Sequence, residues 1–150
     1  MCEPDCMVIK PTYDDANLIL RLYEMRREDK MRTARDWFAQ NFHFKTLEDY
    51  NRQCPASSSM NAYSRMVMSY WEMVASFITS GVLNQELFFQ SNRELLLVWV
   101  RLAPILDEVR MTYKDPSYMR NLETVGRAYV EFLDKVHPET FSTFKFRVGG

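Results

Sequence analysis

One stretch near the middle of the chain, residues 63–87, restricts the possible folds more than any other. Its apolar residues recur at intervals of three and four, which is the period of an amphipathic helix. They are Tyr63, Val67, Tyr70, Val74, Phe77 and Ile78. Gly81 follows at the position where helices often end in the left-handed conformation. The pattern predicts one long helix from about Met60 to Ser80, followed by a segment that Asn84 can cap.

Helical periodicity continues on both sides of this stretch. It covers residues 14–40, with a possible bend near Lys30, and residues 46–54, 93–113 and 118–136. Only four glycines are present, and two of them are the last residues, so a fold with many tight β-turns is excluded. Because proline inside a helix removes a hydrogen bond, Pro104 predicts a kink near Leu102.

These patterns predict an all-α fold: a single-domain antiparallel bundle of five or six helices that spans residues 1–150, with one helix kinked near Pro104. Residues 1–10 are expected to form a flexible arm. Residues 141–150 form an aromatic tail that alternates apolar and polar positions and ends in Gly149 and Gly150. This tail could add a strand or pack on the bundle.

Charge and cysteine usage exclude several classes of protein. The formal net charge of −1 gives no overall field that would attract nucleic acid or an acidic membrane. Three cysteines do not make a disulfide framework, which favours a reducing compartment. The N-terminus lacks the apolar segment of a signal peptide. The most apolar run, residues 95–106, contains Arg101 and is shorter than the roughly 20 residues that cross a bilayer. We therefore expect a cytoplasmic protein without membrane contact.

Glu72 is the first candidate for a functional residue. On a helix its neighbours one turn away include Ser69 and Ser76, with Arg65 and Thr79 two turns away. This arrangement indicates a polar face that could line a pocket around a carboxylate. The same pattern is also typical of a solvated face or of an ion pair between helices.

Arg101 is the expected partner of Glu72. It is the only charge between Leu95 and Leu106, and a charge on so apolar a helix must face outward or be paired. If the two long helices pack antiparallel, Arg101 can meet Glu72.

Other site chemistries have little support. Cys2 and Cys6, together with His43 or His137, supply too few close ligand pairs for a structural zinc site, so no metal and no cofactor is expected. No nucleophile motif and no glycine-rich phosphate loop is present. From Arg21 to Arg35 six cations oppose three acids, a mixture typical of a solvated helix face rather than of a nucleic-acid site.

Two motifs carry a resemblance to a known family. Tyr70-Trp71-Glu72 lies on a helix that is followed by a glycine turn and an amide cap at Asn84, and the next helix contains Trp99, Pro104 and Arg110. Over about Tyr63–Phe132 the chain resembles a family of uncharacterised bacterial helical proteins, a domain of unknown function. The resemblance implies an all-helical fold and a bacterial origin. It carries over no catalytic residue, and it makes Glu72 and Arg110 worth testing.

The expected function is that of a cytosolic helical interaction or assembly module without catalysis. The surplus of tyrosine, tryptophan, phenylalanine and methionine favours a homo-oligomer or a protein partner, because such residues are enriched at interfaces. One alternative is a small-molecule binder or an enzyme that uses the polar face around Glu72 with Arg65, Arg101 or Arg110. A second alternative is nucleic-acid binding through residues 21–35.

Overall fold

The computed structural model describes residues 9–149, and eight α-helices connected by short turns account for most of them. Their bounds are α1 (Tyr13–Met25), α2 (Asp29–Asn41), α3 (Leu47–Gln53), α4 (Ser59–Thr79), α5 (Gln85–Phe89), α6 (Glu94–Tyr113), α7 (Arg120–Val136) and α8 (Thr140–Arg147). This part of the chain contains no strand. The predicted all-α, single-domain fold is confirmed. Most of the predicted arm lies outside the described residues.

The two long helices form the centre of the molecule, as their apolar periodicity predicts. Helix α4 packs mainly against α2 and α7, and α6 packs mainly against α7. Trp71 of α4 and Leu95, Leu96 and Leu102 of α6 are almost completely buried. The core therefore lies between α4, α6 and α7, and α2 covers one side of α4.

Local signals set most helix ends. Thr12, Thr46, Ser58 and Asn84 each accept a hydrogen bond from a backbone N–H in the first turn of the helix that follows. Gly81 has the predicted left-handed conformation, with φ of +82°. These ends agree with the predicted boundaries.

The structure has more helices than the five or six expected. The region 14–40 is two helices because the chain turns at residues 26–28, where Glu28 accepts a hydrogen bond from the N–H of Met31 and starts α2. Residues 85–89 form one further short helix. Helix α6 continues through Pro104, and the predicted kink there stays a prediction.

The C-terminal tail is a helix that packs on the bundle, so of the two predicted alternatives the strand is wrong and the packing is confirmed. Phe141, Phe144 and Val148 recur at intervals of three and four and pack against the core, whereas Phe146 is 86% exposed. The same run of residues also alternates between apolar and polar positions, which is why its sequence resembles a strand.

Candidate functional site

Glu72 binds the N-terminus of α7. Its carboxylate accepts hydrogen bonds from the backbone N–H of Asn121 at 3.1 Å, from the Asn121 side-chain amide at 2.9 Å and from the N–H of Leu122 at 2.7 Å. The residue before α7, Met119, has φ of +55° and provides no side-chain cap. Helix N-termini carry unpaired N–H groups and a partial positive charge. Glu72 therefore caps α7 from another helix.

Arg101 performs the opposite task at the C-terminus of α2. It is 6% exposed, and its guanidinium donates to the carbonyl oxygens of Phe42 at 2.9 Å, Ala39 at 3.1 Å and Phe38 at 3.4 Å. Its Nε donates to the carbonyl of Val148, just after α8, at 2.7 Å. The last carbonyls of a helix lack partners and carry partial negative charge. Burial lowers the pKa of Arg101 from its usual value, but an arginine remains charged in proteins.

Arg110 fixes the turn between α6 and α7. Its Nε donates to the carbonyl of Tyr118 and its Nη1 pairs with Glu123, both at 3.0 Å. Arg127 also pairs with Glu123. Burial opposes ionisation of Glu123, but the hydrogen bonds from Arg127 and Arg110 outweigh it and lower the pKa of this carboxyl.

The predicted pairing of Glu72 with Arg101 is wrong. The carboxylate binds the start of α7, whereas the guanidinium binds the end of α2 and Val148. Both side chains find backbone groups at helix ends, which can replace an opposite charge as hydrogen-bonding partners. A sequence pattern identifies a charge that needs a partner, but it does not distinguish a helix terminus from a second side chain.

The polar face around Glu72 does not line one pocket. Ser76 donates to the carbonyl of Met73 on its own helix, and Thr79 donates to the side chain of Asn121. Arg65 and Ser69 lie further along α4 and border a shallow groove of about 470 Å³. The structure therefore brings Glu72 and Thr79 together at α7 and leaves Arg65 to a different part of the surface.

Arg65 also lines a large cavity in the described part of the chain. This cavity, of about 630 Å³, lies between α3, α4 and α6. Its inner wall is apolar and consists of Met68, Leu102, Ile105 and Val109. Tyr113 and Tyr118 border it in an edge-to-face pair, with ring centroids 5.3 Å apart.

A hydrogen-bonded polar group forms the opposite wall of the cavity. The Tyr50 hydroxyl is 2.6 Å from the Ser64 hydroxyl, and the Asn61 amide donates to Tyr50 and to the carbonyl of Cys54. The side-chain Oδ1 of Asn61 accepts from Arg65 Nε at 2.8 Å. This network fixes the base of the guanidinium at the cavity. No sequence motif predicted this network. Helix α3 is only seven residues long, and its contacts with α4 arise from the tertiary fold.

Burial favours the neutral form of three titratable groups of the cavity, Tyr50, Cys54 and Tyr118. Burial raises the pKa of Tyr118 to about 12, and burial also raises the pKa values of Tyr50 and of the Cys54 thiol. A thiol with a raised pKa is a poor nucleophile. Near neutral pH these raised pKa values disfavour ionisation of the three groups.

The basic stretch 21–35 is partly occupied by internal contacts. Arg26 is 8% exposed and lies over the rings of Tyr23 and Trp71. Arg35 forms a two-point ion pair with Glu94 at 2.8 and 2.6 Å and also donates to the carbonyl of Arg26. Only the remaining exposed cations of this stretch could therefore contact nucleic acid, and nucleic-acid binding stays a prediction.

Residues 9–149 contain no group of three or more acidic, histidine or cysteine side chains that could hold a metal ion. The candidate ligands Cys2 and Cys6 lie outside the described residues. Among the eight helices, none combines the length and apolar character needed to cross a bilayer.

Comparison with known proteins identifies a family but no function. No curated protein and no solved structure matches the chain. The sequence model of a family described as a domain of unknown function (DUF4760) matches residues 11–129. The match begins well before Tyr63, where the resemblance seen in the sequence starts, and includes α1 to α3. The bacterial origin that the resemblance implies stays a prediction. Since the match covers most of the 150 residues, the chain belongs to this family of helical domains of unknown function.

Proposed function

We propose that the chain is a cytosolic interaction module that acts without catalysis and forms a homodimer through the outer face of α1. The outer face consists of Tyr13, Ala16, Leu20 and Tyr23. The observation that carries the proposal is the exposure of its large members, which is 81% for Tyr13, 61% for Leu20 and 45% for Tyr23. Contiguous exposed apolar surface is typical of interaction sites.

The spacing of the outer face favours a second copy of the chain as the partner. At about 100° per residue the four side chains fall within an arc of about 80° on α1. Their intervals of three, four and three residues are symmetric about position 18. An antiparallel pair of α1 helices would therefore place Tyr13 against Tyr23 of the other copy and Ala16 against Leu20. A twofold interface requires this kind of self-complementarity.

Helix α1 is held rigidly enough to present such a face. Its first turn is fixed by Asp15, which accepts hydrogen bonds from the N–H of Thr12 and from the N–H of Asn84 before α5. Its last turn is fixed by the Tyr70 hydroxyl, which donates to the carbonyl of Leu22 at 2.6 Å. Both contacts reduce the entropy that ordering α1 on association would cost.

Two further exposed apolar residues lie near the N-terminal end of α1. The Asn84 side chain donates to the carbonyl of Ile9, so Ile9 lies beside the turn that carries Val82. Ile9 is 81% exposed and Val82 is 63% exposed. The absence of catalysis is supported by Glu72, Arg101 and Arg110, whose hydrogen bonds all go to groups that hold the fold.

Light scattering after size-exclusion chromatography tests the proposal. The wild-type chain is expected at about twice its monomer mass of 17.9 kDa. Leu20→Glu should convert it to a monomer with an unchanged circular dichroism spectrum and melting temperature. Met111→Glu is the matched control, since Met111 is 78% exposed on α6, away from the outer face. A wild-type chain that stays monomeric at roughly 100 μM, or a dimer that Leu20→Glu leaves intact, would overturn the proposal.

Small-molecule binding is a second candidate function, and the cavity beside Arg65 favours it. A volume of about 630 Å³ with a largely apolar wall and a few fixed polar groups is typical of ligand sites. This candidate uses one member of the predicted polar face, Arg65, and no contribution from Glu72. Binding of any small molecule that the filled variant Ala56→Trp prevents would support it.

A further inference from the structure

The cavity between α3, α4 and α6 has only one charged group among the described residues that line it. That group is the guanidinium of Arg65. Two nearby carboxylates do not line the cavity: Glu108 accepts the N–H of Leu47, and Asp49 pairs with Arg52. A ligand that enters the cavity therefore meets a positive charge without a competing acid on the wall.

The guanidinium has donors to spare. Its Nε donates to the side-chain Oδ1 of Asn61 at 2.8 Å, and no described residue accepts a hydrogen bond from its two Nη groups. An arginine fixed by one nitrogen and free at the other two can bind a carboxylate, sulfonate or phosphate by two parallel hydrogen bonds. Arg65 is exposed, and its Nε bonds to Asn61, which is itself held by Tyr50 and by the carbonyl of Cys54, so one end of the guanidinium is tethered at the mouth of the cavity.

The remaining walls fit an apolar body. Met68, Leu102 and Val109 are all at most 5% exposed and provide an aliphatic surface. Tyr113 and Tyr118 form the edge-to-face wall, and Tyr118 stays neutral at physiological pH. Aromatic edges and apolar side chains favour a ligand with a ring or a branched hydrocarbon part.

We propose that this cavity binds a small organic anion with an apolar, ring-containing body, and that Arg65 binds its acidic group. The inference rests on the second candidate function and adds the chemical class of the ligand. The acidic group pairs with the Nη atoms of Arg65 at the mouth, and the body lies on the wall of α4 and α6.

Two fluorescent probes with the same body test this inference. One is the anion 1-anilinonaphthalene-8-sulfonate, and the other is neutral N-phenyl-1-naphthylamine, which lacks the sulfonate. The probes are titrated into the full chain and into three variants. Arg65→Gln removes the charge, Ala56→Trp fills the mouth of the cavity, and Arg52→Gln removes a cation from α3 that does not line it. Thermal melts of all variants confirm that each is folded.

We expect the wild-type chain to bind the anion at one site and at least about tenfold more tightly than the neutral probe, since hydrogen bonds between charged groups are stronger than those between neutral groups. Arg65→Gln should remove this preference and leave the affinity for the neutral probe unchanged. Ala56→Trp should abolish the binding of both probes, and Arg52→Gln should change neither affinity.

Two other outcomes overturn different parts of the argument. If both probes bind equally well and Arg65→Gln has no effect, the cavity binds small molecules but the assignment of an anionic ligand is wrong. If neither probe binds, or if Ala56→Trp leaves their binding intact, both the ligand class and the second candidate function are wrong. In either case the proposed homodimer is unaffected, because α1 does not line this cavity.

Discussion

Replacing Arg101 with methionine separates two opposing effects of a buried charge. The change removes a costly burial of charge, which could stabilise the fold. It also leaves carbonyl oxygens without partners. The Phe38 oxygen still accepts the N–H of Phe42, but Ala39, Phe42 and Val148 lose the hydrogen bonds that Arg101 gives them. The bond to Phe42 is buried, and those to Ala39 and Val148 are partly buried. Because an unsatisfied buried polar group costs about 1–3 kcal/mol, we expect the loss of the three bonds to outweigh the relief of desolvation.

We expect Arg101→Met to lower the free energy of unfolding by about 3–5 kcal/mol, with some carbonyls regaining water. For a chain of this length the melting temperature should fall by roughly 6–20 °C. Urea unfolding followed by circular dichroism measures the change directly. The midpoint should fall while the slope with denaturant stays constant, which would indicate a loss of stability rather than a change in the unfolded state.

Arg127→Met is the matched control for Arg101→Met. The Arg127 side chain is 69% exposed in its pair with Glu123, and surface pairs contribute about 0–1 kcal/mol. If Arg101→Met is as stable as wild type or more stable, desolvation dominates and the capping interpretation is refuted. The free energy of unfolding of Arg101→Lys should lie between those of the wild type and Arg101→Met. One ammonium group cannot reach carbonyls of both α2 and the segment after α8.

Three further substitutions test other parts of the fold. Glu72→Ala should cost about 2 kcal/mol in urea unfolding, which combines the loss of an N-cap with that of a favourable helix-dipole contact. Gly126→Ala should destabilise by about 1–3 kcal/mol, because its Cβ would lie 2.4 Å from Cγ of Trp99 and this overpacking exceeds the gain in helix propensity. Asp15→Asn should flatten the acid side of the stability curve, below the usual aspartate pKa of 3.8. Hydrogen bonds from the backbone of Thr12 and of Asn84 hold the pKa of Asp15 below its usual 3.8, so the wild-type carboxylate stabilises above that value and loses its effect as pH falls through the lowered pKa.

Each of these substitutions has its own control. Glu86→Ala removes an acid from the first turn of α5 and should have a smaller effect than Glu72→Ala. If Trp99→Ala does not reduce the cost of Gly126→Ala in a double-mutant cycle, close contact of α6 and α7 is not its cause. Asp14→Asn should leave the acid side of the curve as steep as in wild type, and equal curves for the two aspartate variants would contradict the role of Asp15.

Sequence patterns predicted the long helices well, because their signals are local. The periodicity from Tyr63 to Ile78, the left-handed Gly81 and the capping Asn84 lie within a few turns of the elements they define. The tail was harder, since a short run with apolar residues at positions 141, 144, 146 and 148 satisfies both a strand and a helix pattern. Only its packing against the core decides between them.

Sequence patterns single out charged residues on the two long helices, but they do not predict the contacts of these residues. The sequence indicates that the charges of Glu72 and Arg101 need partners. In the structure each partner is a helix end from a distant part of the chain. The cavity beside Arg65 was missed because its walls come from α3, α4 and α6, and no spacing within one segment signals their convergence. Tertiary arrangement, rather than residue type, determines both features.

Two helix ends are capped by side chains from distant parts of the chain, and this affects folding. Glu72 and the start of α7 are about 50 residues apart in the chain, and Arg101 and the end of α2 are about 60 apart. Neither helix end can acquire its cap until these segments meet, so an isolated peptide of α7 should fray at Asn121 and Leu122. In the intact protein the amide hydrogens of these two residues should instead exchange with solvent at the rate of global unfolding, because they open only when α4 and α7 separate. The helix ends, usually the first parts of a bundle to open, are thus linked to its most cooperative unit.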